Sequence, residues 1–236
     1  MTVEQVLELA RGPLFRFTFV LMVLGLARLV GLTVYNAVRT YARAGDKRLL
    51  WPLIRQRTLW ALLPFLRLHR TRTVYGFISV IFHVGLISVP IFLFAHVYLW
   101  RLGLGISWPA LPPVVADILT VLTIVAALGL FVGRVSSALS RALGRAPDYA
   151  WPWLLAIPFI SGFLAAHPTW CPVPYNVVLL IHILSAELIF VLIPCSKIAH
   201  CVLIPFSQLV SDLAWHFPAT AGRDVAKALG KESVPV

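Results

Sequence analysis

Long apolar runs separated by short basic segments dominate the chain. A helix needs about 20 mainly apolar residues to cross the hydrocarbon of a bilayer. Five runs answer to that pattern: Pro13 to Tyr35, Val74 to Trp100, Val114 to Val135, Trp151 to Ala166 and Val177 to Phe206. The third starts after the Pro112–Pro113 punctuation. The fourth is short and holds Pro152 and Pro158, which predicts a tilted or kinked helix. The fifth is interrupted by Pro194 and ends near Pro205. The pattern therefore predicts an all-α integral membrane bundle of five transmembrane helices over residues 1–210, followed by a short cytoplasmic tail over 211–236. Leu49 to Leu68 mixes Trp51, Ile54, Trp60 and Phe65 with Arg55, Arg57 and Arg67. It reads as an amphipathic helix lying in the membrane interface, with docking on a cytoplasmic partner as the competing role.

Composition agrees with a lipid solvent. Charged residues make up 12% of the chain and hydrophobic residues 60%, against about 25% charged in soluble domains. The net charge of +11 would suggest nucleic acid in a soluble protein. Here the cations fall between the apolar runs, and no soluble domain exists to carry nucleic-acid binding. Arg39, Arg43, Lys47, Arg48, Arg55, Arg57, Arg67, Arg70 and Arg72 lie between the first and second runs. Arg141 and Arg145 lie between the third and fourth, with Arg134 at the end of the third, and Arg223, Lys227 and Lys231 follow the fifth. The remaining connections hold only Arg101. Basic connections favour the cytoplasm, which predicts a multi-pass protein of the inner (cytoplasmic) membrane with its N-terminus outside and its C-terminus inside. Glu4 and Glu8 stand where a secretory signal would carry basic residues, so the first run reads as a retained anchor. The three cysteines, Cys171, Cys195 and Cys201, form no disulfide framework, and no CxxCH is present for covalent haem.

Histidine is where the chemistry concentrates. Of seven histidines, four lie inside apolar runs: His83 and His96 in the second, His182 and His200 in the fifth. Ionisable side chains at membrane depth are costly and point to function. The two runs are antiparallel in the predicted topology, so His83 and His200 fall toward the cytoplasmic side, and His96 and His182 toward the outer side. On one continuous helix, the 18-residue interval from His182 to His200 is five turns and about 27 Å, with both rings on one face. The 13-residue interval from His83 to His96 does not return to one face, and Pro90 between them is placed to kink the helix and shift its phase. Two facing imidazoles fill both axial positions of a haem iron, leaving it suited to passing electrons. Two such centres, His83 with His200 and His96 with His182, would carry electrons across the bilayer. Three alternatives stand beside this reading: histidines bonded to neighbouring carbonyls in a haem-free anchor, a zinc site, and a transporter whose histidines relay protons. Zinc sites cluster their ligands and favour cysteine, and no transporter-like repeat is present.

Other polar residues extend the candidate site. Glu187, five residues after His182, serves either as a proton relay for quinone chemistry or as a hydrogen-bond partner of a neighbouring helix. Arg28 in the first run matches a haem propionate in geometry, or snorkels to the interface. Lys197, three residues before His200, meets a propionate or the lipid headgroups. His167, beside Pro168 and Trp170, fits a quinone pocket near the outer centre, a helix cap, or a solvent-facing position. His69 and His216 lie in basic or amphipathic segments and read as surface residues.

Phe82-His83-Val84-Gly85 resembles the haem-binding helix of the gamma subunit of respiratory nitrate reductase. The segment His182 to His200 does so more specifically, through its 18-residue ligand spacing and the Pro194, Ser196 and Lys197 that precede the last histidine. The interval of 13 between His83 and His96 is longer than in those gamma subunits. With Pro90 inside it, the second run is more similar to the cytochrome b subunits of the Hmc and Tmc transmembrane redox complexes of sulfate-reducing bacteria. Asp117, Asp148-Tyr149 and Gly162 to His167 resemble that group too. The resemblance implies two haem b groups held by His83 with His200 and His96 with His182. It implies an electron-transfer subunit rather than a stand-alone enzyme. Its expected partners are a cytoplasmic iron–sulfur subunit, menaquinone, a periplasmic multihaem cytochrome c and further membrane subunits.

Overall fold

A computed structural model of the chain describes residues 2–62 and 73–231. His69 and the part of the predicted interfacial helix beyond Leu62 lie outside the described residues. Among those residues the regular structure is helical, apart from one isolated bridge between Ala44 and Pro218. In chain order the helices are α1 (Val3–Leu9), α2 (Phe15–Arg43), α3 (Trp51–Leu62), α4 (Thr73–Phe92), α5 (Phe94–Leu104), α6 (Pro113–Ser136), α7 (Ala138–Leu143), α8 (Ala146–Ala166), α9 (Tyr175–Leu192), α10 (His200–Leu213) and α11 (Ala221–Ala228). A π-turn over Ala10–Leu14, holding Pro13, joins α1 to α2. Among the described residues, five helical stretches are long and apolar enough to cross a membrane: Val3–Arg43, α4, α6, α8 and α9. Much of their apolar surface is left outward, as at Leu24, Phe77 and Val125, where lipid is the solvent. The chain is an all-α, multi-pass membrane protein.

Two predicted spans are broken in the structure, and a third starts earlier than predicted. The second, predicted as one helix over 74–100, breaks at Leu93 into α4 and α5. Leu93 has extended backbone angles (φ −65°, ψ 133°), three residues after Pro90, whose missing N–H already weakens the ladder. The fifth, predicted over 177–206, stops at Leu192; a 3₁₀ turn over Lys197–Ala199 follows before α10 starts at His200. Pro194 cannot continue the helix, and the Ser196 hydroxyl accepts from the Ile198 N–H (3.2 Å), starting the new turn. His182 and His200 thus stand on two helices, and the five-turn argument for a shared face does not apply. The fourth span starts earlier than predicted, at Ala146. There Pro147 suits a helix start, and the Asp148 carboxylate accepts from the Arg145 N–H (3.0 Å).

The chain divides into two units, Met1–Val20 with Pro64–Val191 and Leu21–Leu63 with Leu192–Val236. In the first, α6 is the middle helix, packed on α4 and α8. The α4–α6 seam depends on glycine. A Cβ on Gly85 would collide with the Thr123 hydroxyl, one on Gly133 would lie 2.8 Å from the Tyr75 ring, and one on Gly129 would lie 3.2 Å from Ile78. Small residues let apolar helices approach closely where dispersion replaces the hydrophobic effect as the attractive term. Thr120 and Thr123 are buried, and their hydroxyls donate within α6 to the carbonyls of Ala116 (2.7 Å) and Leu119 (2.6 Å). At one end of the seam Arg134 donates to the Asp148 carbonyl (2.8 Å) and to the Tyr75 hydroxyl (3.4 Å), joining α6 to α8 and α4.

In the second unit α3 packs along α10, burying Ile54. Gly25 on α2 lies against Pro194, where a Cβ would come within 2.6 Å of the proline ring. The segment after α10 returns to the end of α2: the Gly45 N–H donates to the Phe217 carbonyl (2.9 Å), and His216 Nδ1–H donates to the Asp46 carbonyl (2.7 Å). His216, read from sequence as a surface residue, is therefore half-buried and ties two segments together. Helix α10 runs across the predicted boundary at residue 210.

Candidate functional site

The break in the second span leaves the carbonyls of Pro90, Ile91 and Phe92 near its end. Backbone acceptors that face hydrocarbon need partners, and each has one: His96 Nδ1–H donates to Pro90 (3.0 Å), Trp108 Nε1–H to Ile91 (2.9 Å) and the Leu111 N–H to Phe92 (2.8 Å). The loop after α5 therefore folds back over the break, and His96 is held by a carbonyl on the far side of the joint. The break also answers the 13-residue interval. His83 and His96 occupy different helices, so ideal helical phase no longer relates them.

His182, on α9, is oriented by α8. Its Nδ1–H donates to the Pro158 carbonyl (2.8 Å), 24 residues away in sequence. The ring passes over Gly162, where a Cβ would lie 2.9 Å from Cε1 and 3.0 Å from Nδ1. Only a residue without a side chain admits the imidazole at this height.

These constraints bring the rings of His96 and His182 together, with centroids 6.1 Å apart and planes within 7° of parallel. A carbonyl only accepts hydrogen bonds, so each Nδ1 carries a proton, and in the neutral ring that leaves the lone pair on Nε2. That is the tautomer a metal takes through Nε2, with the Nδ1–H···O=C bond setting ring orientation and basicity. Two bonds of about 2.0–2.1 Å, added to half the width of each ring, put two imidazoles on one metal ion at about 6 Å between centroids. The observed spacing fits. Among the described residues no three His, Cys, Asp or Glu side chains converge on a point; the donor set here is two imidazoles, the number of axial positions a porphyrin leaves.

The other predicted site residues lie as follows. His83, on α4 of the first unit, is half-buried; its Nδ1–H donates to the Ser79 carbonyl (2.7 Å), and its ring meets Phe82 edge-on at 5.6 Å. His200 opens α10 of the second unit, with Nδ1–H donating to the Lys197 carbonyl (2.7 Å). All four membrane histidines thus share one tautomer. Lys197 and Arg28 are exposed, in the turn before α10 and on α2 respectively. Glu187 is 3% exposed, and neither carboxyl oxygen has a hydrogen-bond partner. His167 ends α8, its N–H donating to the Phe163 carbonyl (3.0 Å). Its Nε2 lies 3.2 Å from Asp117 Oδ1 at the start of α6, and its ring lies against Phe163 (4.5 Å) and Trp170 (5.4 Å).

Sequence reasoning did not assign the carbonyls of Pro90 and Pro158, the indole of Trp108, or the Asp117–His167 contact. The prolines were visible as helix breakers; their partners come from other helices and loops and leave no local signal.

A protein of Nitratidesulfovibrio vulgaris strain Hildenborough, named only "Protein", is 36% identical over 133 residues, covering 54% of this chain and 55% of that protein. The chain thus spans about half the length of the relative it matches. No family model matches the chain. No solved structure matches it.

Proposed function

We propose that this chain is a di-haem b-type cytochrome, the membrane subunit of a respiratory redox complex, passing electrons across the bilayer. The observation that carries this reading is the His96–His182 pair: parallel imidazoles 6.1 Å apart, each with Nδ1–H committed to a backbone carbonyl. His96 and His182 would hold a haem b, which when bound would supply a one-electron couple. The chain's own residues do the remainder. His96 and His182 present Nε2, Pro90 and Pro158 hold their orientation, and Gly162 admits the second ring. His83 and His200, in the same tautomer, are assigned to a second centre. Arg28 and Lys197, both cationic, are assigned to the propionates of that second centre.

In this reading the basic connections face the cytoplasm of an inner-membrane protein whose N-terminus is outside. A cytoplasmic iron–sulfur subunit docks on that face. Menaquinone or a periplasmic multihaem cytochrome c exchanges electrons at the other, where the His167–Asp117 pair lies beside aromatic rings. The resemblance to the nitrate reductase gamma subunit and to the Hmc and Tmc cytochromes b supports the same assignment, through His182 to His200 and Phe82 to Gly85.

The test is a dithionite-reduced minus oxidised spectrum of the chain purified with its co-expressed partners, together with a pyridine haemochrome count. Two b-type haems per chain are expected. One haem would overturn the pairing of His83 with His200, and none would overturn the electron-transfer reading.

A further inference from the structure

The last four spans hold three acidic side chains: Asp117, Asp148 and Glu187. Two have basic partners. Asp117 lies 3.2 Å from His167 Nε2, and Asp148 lies 3.8 Å from Arg134 Nη1. Glu187 differs: it is 3% exposed, and both of its oxygens lack a hydrogen-bond partner. It stands five residues along α9 from His182, a rise of about 7.5 Å. A buried carboxylate without a partner is costly in its charged form, whereas a carboxyl that gains and loses a proton needs only access to one.

Among the described residues, the elements shown against α9 in the first unit supply no counter-charge for it. Helix α2 meets α9 through Phe15 and Phe19 on Phe190, α5 through His96 on His182, and α8 through Pro158 and Gly162 on His182. In the first unit the charged or titratable groups of these helices are Arg16 on α2, His96, Tyr98 and Arg101 on α5, Asp148 and Tyr149 on α8, and Tyr175 and His182 on α9 itself. Arg16 is exposed, Asp148 is engaged by Arg134, and the two imidazoles donate Nδ1–H to carbonyls. An electron placed between His96 and His182 adds negative charge where charges are poorly screened. The buried base at hand to balance it is the Glu187 carboxylate.

We propose that Glu187 is the redox-linked proton site of the His96–His182 centre, which deepens and rests on the electron-transfer reading. Its carboxylate takes up one proton from the aqueous phase when the centre gains one electron from its iron–sulfur or quinol donor. The carboxylic acid releases that proton when the electron leaves. Charge is then conserved within the site, and electron transfer through this half of the bundle carries a proton equivalent with it.

The experiment is redox-difference infrared spectroscopy of the haem-loaded chain in nanodiscs, with and without carboxyl-¹³C glutamate, beside a redox titration across pH. The other glutamates, Glu4, Glu8 and Glu232, lie near the chain ends. On reduction a protonated-carboxyl C=O band is expected to appear, to shift with ¹³C label and to vanish in Glu187→Gln. The same variant is expected to retain both haems and to lose the fall of the midpoint potential with rising pH. Should Glu187→Gln not assemble, Glu187→Asp replaces it, with the band displaced and insensitive to labelled glutamate. Two titrating haems with no glutamate band between redox states would overturn the proton site and leave the electron-transfer reading standing. A chain without haem would overturn that reading itself.

Discussion

The four membrane histidines use the same hydrogen bond in two different ways. His83 and His200 donate to carbonyls four and three residues earlier in the chain. Any helix or helical turn supplies such a carbonyl, so their ring orientation follows from local backbone alone. His96 and His182 donate to carbonyls six and 24 residues away, at Pro90 and Pro158. Those acceptors are in place only once the break at Leu93 has formed and α8 has docked on α9. One pair of rings is thus set by secondary structure and the other by tertiary structure. The second kind is more exact in geometry and more exposed to damage from residues that never touch a ligand.

Removing a ring tests the division most severely. His182→Ala is expected to remove one of the two haems, seen as half the haemochrome count and one missing wave in a redox titration. His200→Ala is expected to remove the other. Loss of neither centre in either variant would break the pairing.

Gly162→Ala probes the tertiary constraint without replacing either histidine. The new methyl would lie 2.9 Å from His182 Cε1, so the ring or α8 must shift, at a cost of about 1–3 kcal/mol for overpacking. The midpoint and low-spin resonance of the centre proposed at His96 and His182 are expected to move, while those of the centre proposed at His83 and His200 stay. A change in both centres would show that the two halves are not separable.

Trp108→Phe is the mildest of the three. It removes the N–H that reaches the Ile91 carbonyl at 2.9 Å, a loss of about 0.5–1.5 kcal/mol. Both haems are expected to remain. Hydrogen exchange at Leu111 and in the first turn of α5 should quicken, and exchange along α4 before Pro90 should not.

The span pattern was readable in the sequence because hydropathy is additive along the chain. So was the presence of interruptions at Pro90 and Pro194. Where each break falls was not, because a proline weakens the ladder over several residues and neighbouring groups decide which carbonyls are released. Leu93 takes the extended conformation where Trp108 and Leu111 can satisfy Ile91 and Phe92, and those partners lie 17 and 19 residues downstream of their acceptors. The same limit explains His216. Its basic, amphipathic surroundings suggested a surface position, yet the Asp46 carbonyl it reaches is 170 residues away in sequence. Pairing His96 with His182 was legible through matched depth, but the glycine beneath the second ring acquired its reason only from the packing of α8 on α9.

The loop that closes over the α4–α5 joint has a consequence for biogenesis. Each carbonyl released at the joint would cost several kcal/mol if it met hydrocarbon unpartnered. Trp108 and Leu111 follow α5 in the chain, so a nascent hairpin that has emerged only as far as Leu104 still has bare acceptors at Ile91 and Phe92. The joint becomes compatible with lipid when the residues through Leu111 arrive and fold back. Insertion of this part of the bundle is thus a single event spanning α4, α5 and the loop, and the translocon must shelter all three together until the closure is made.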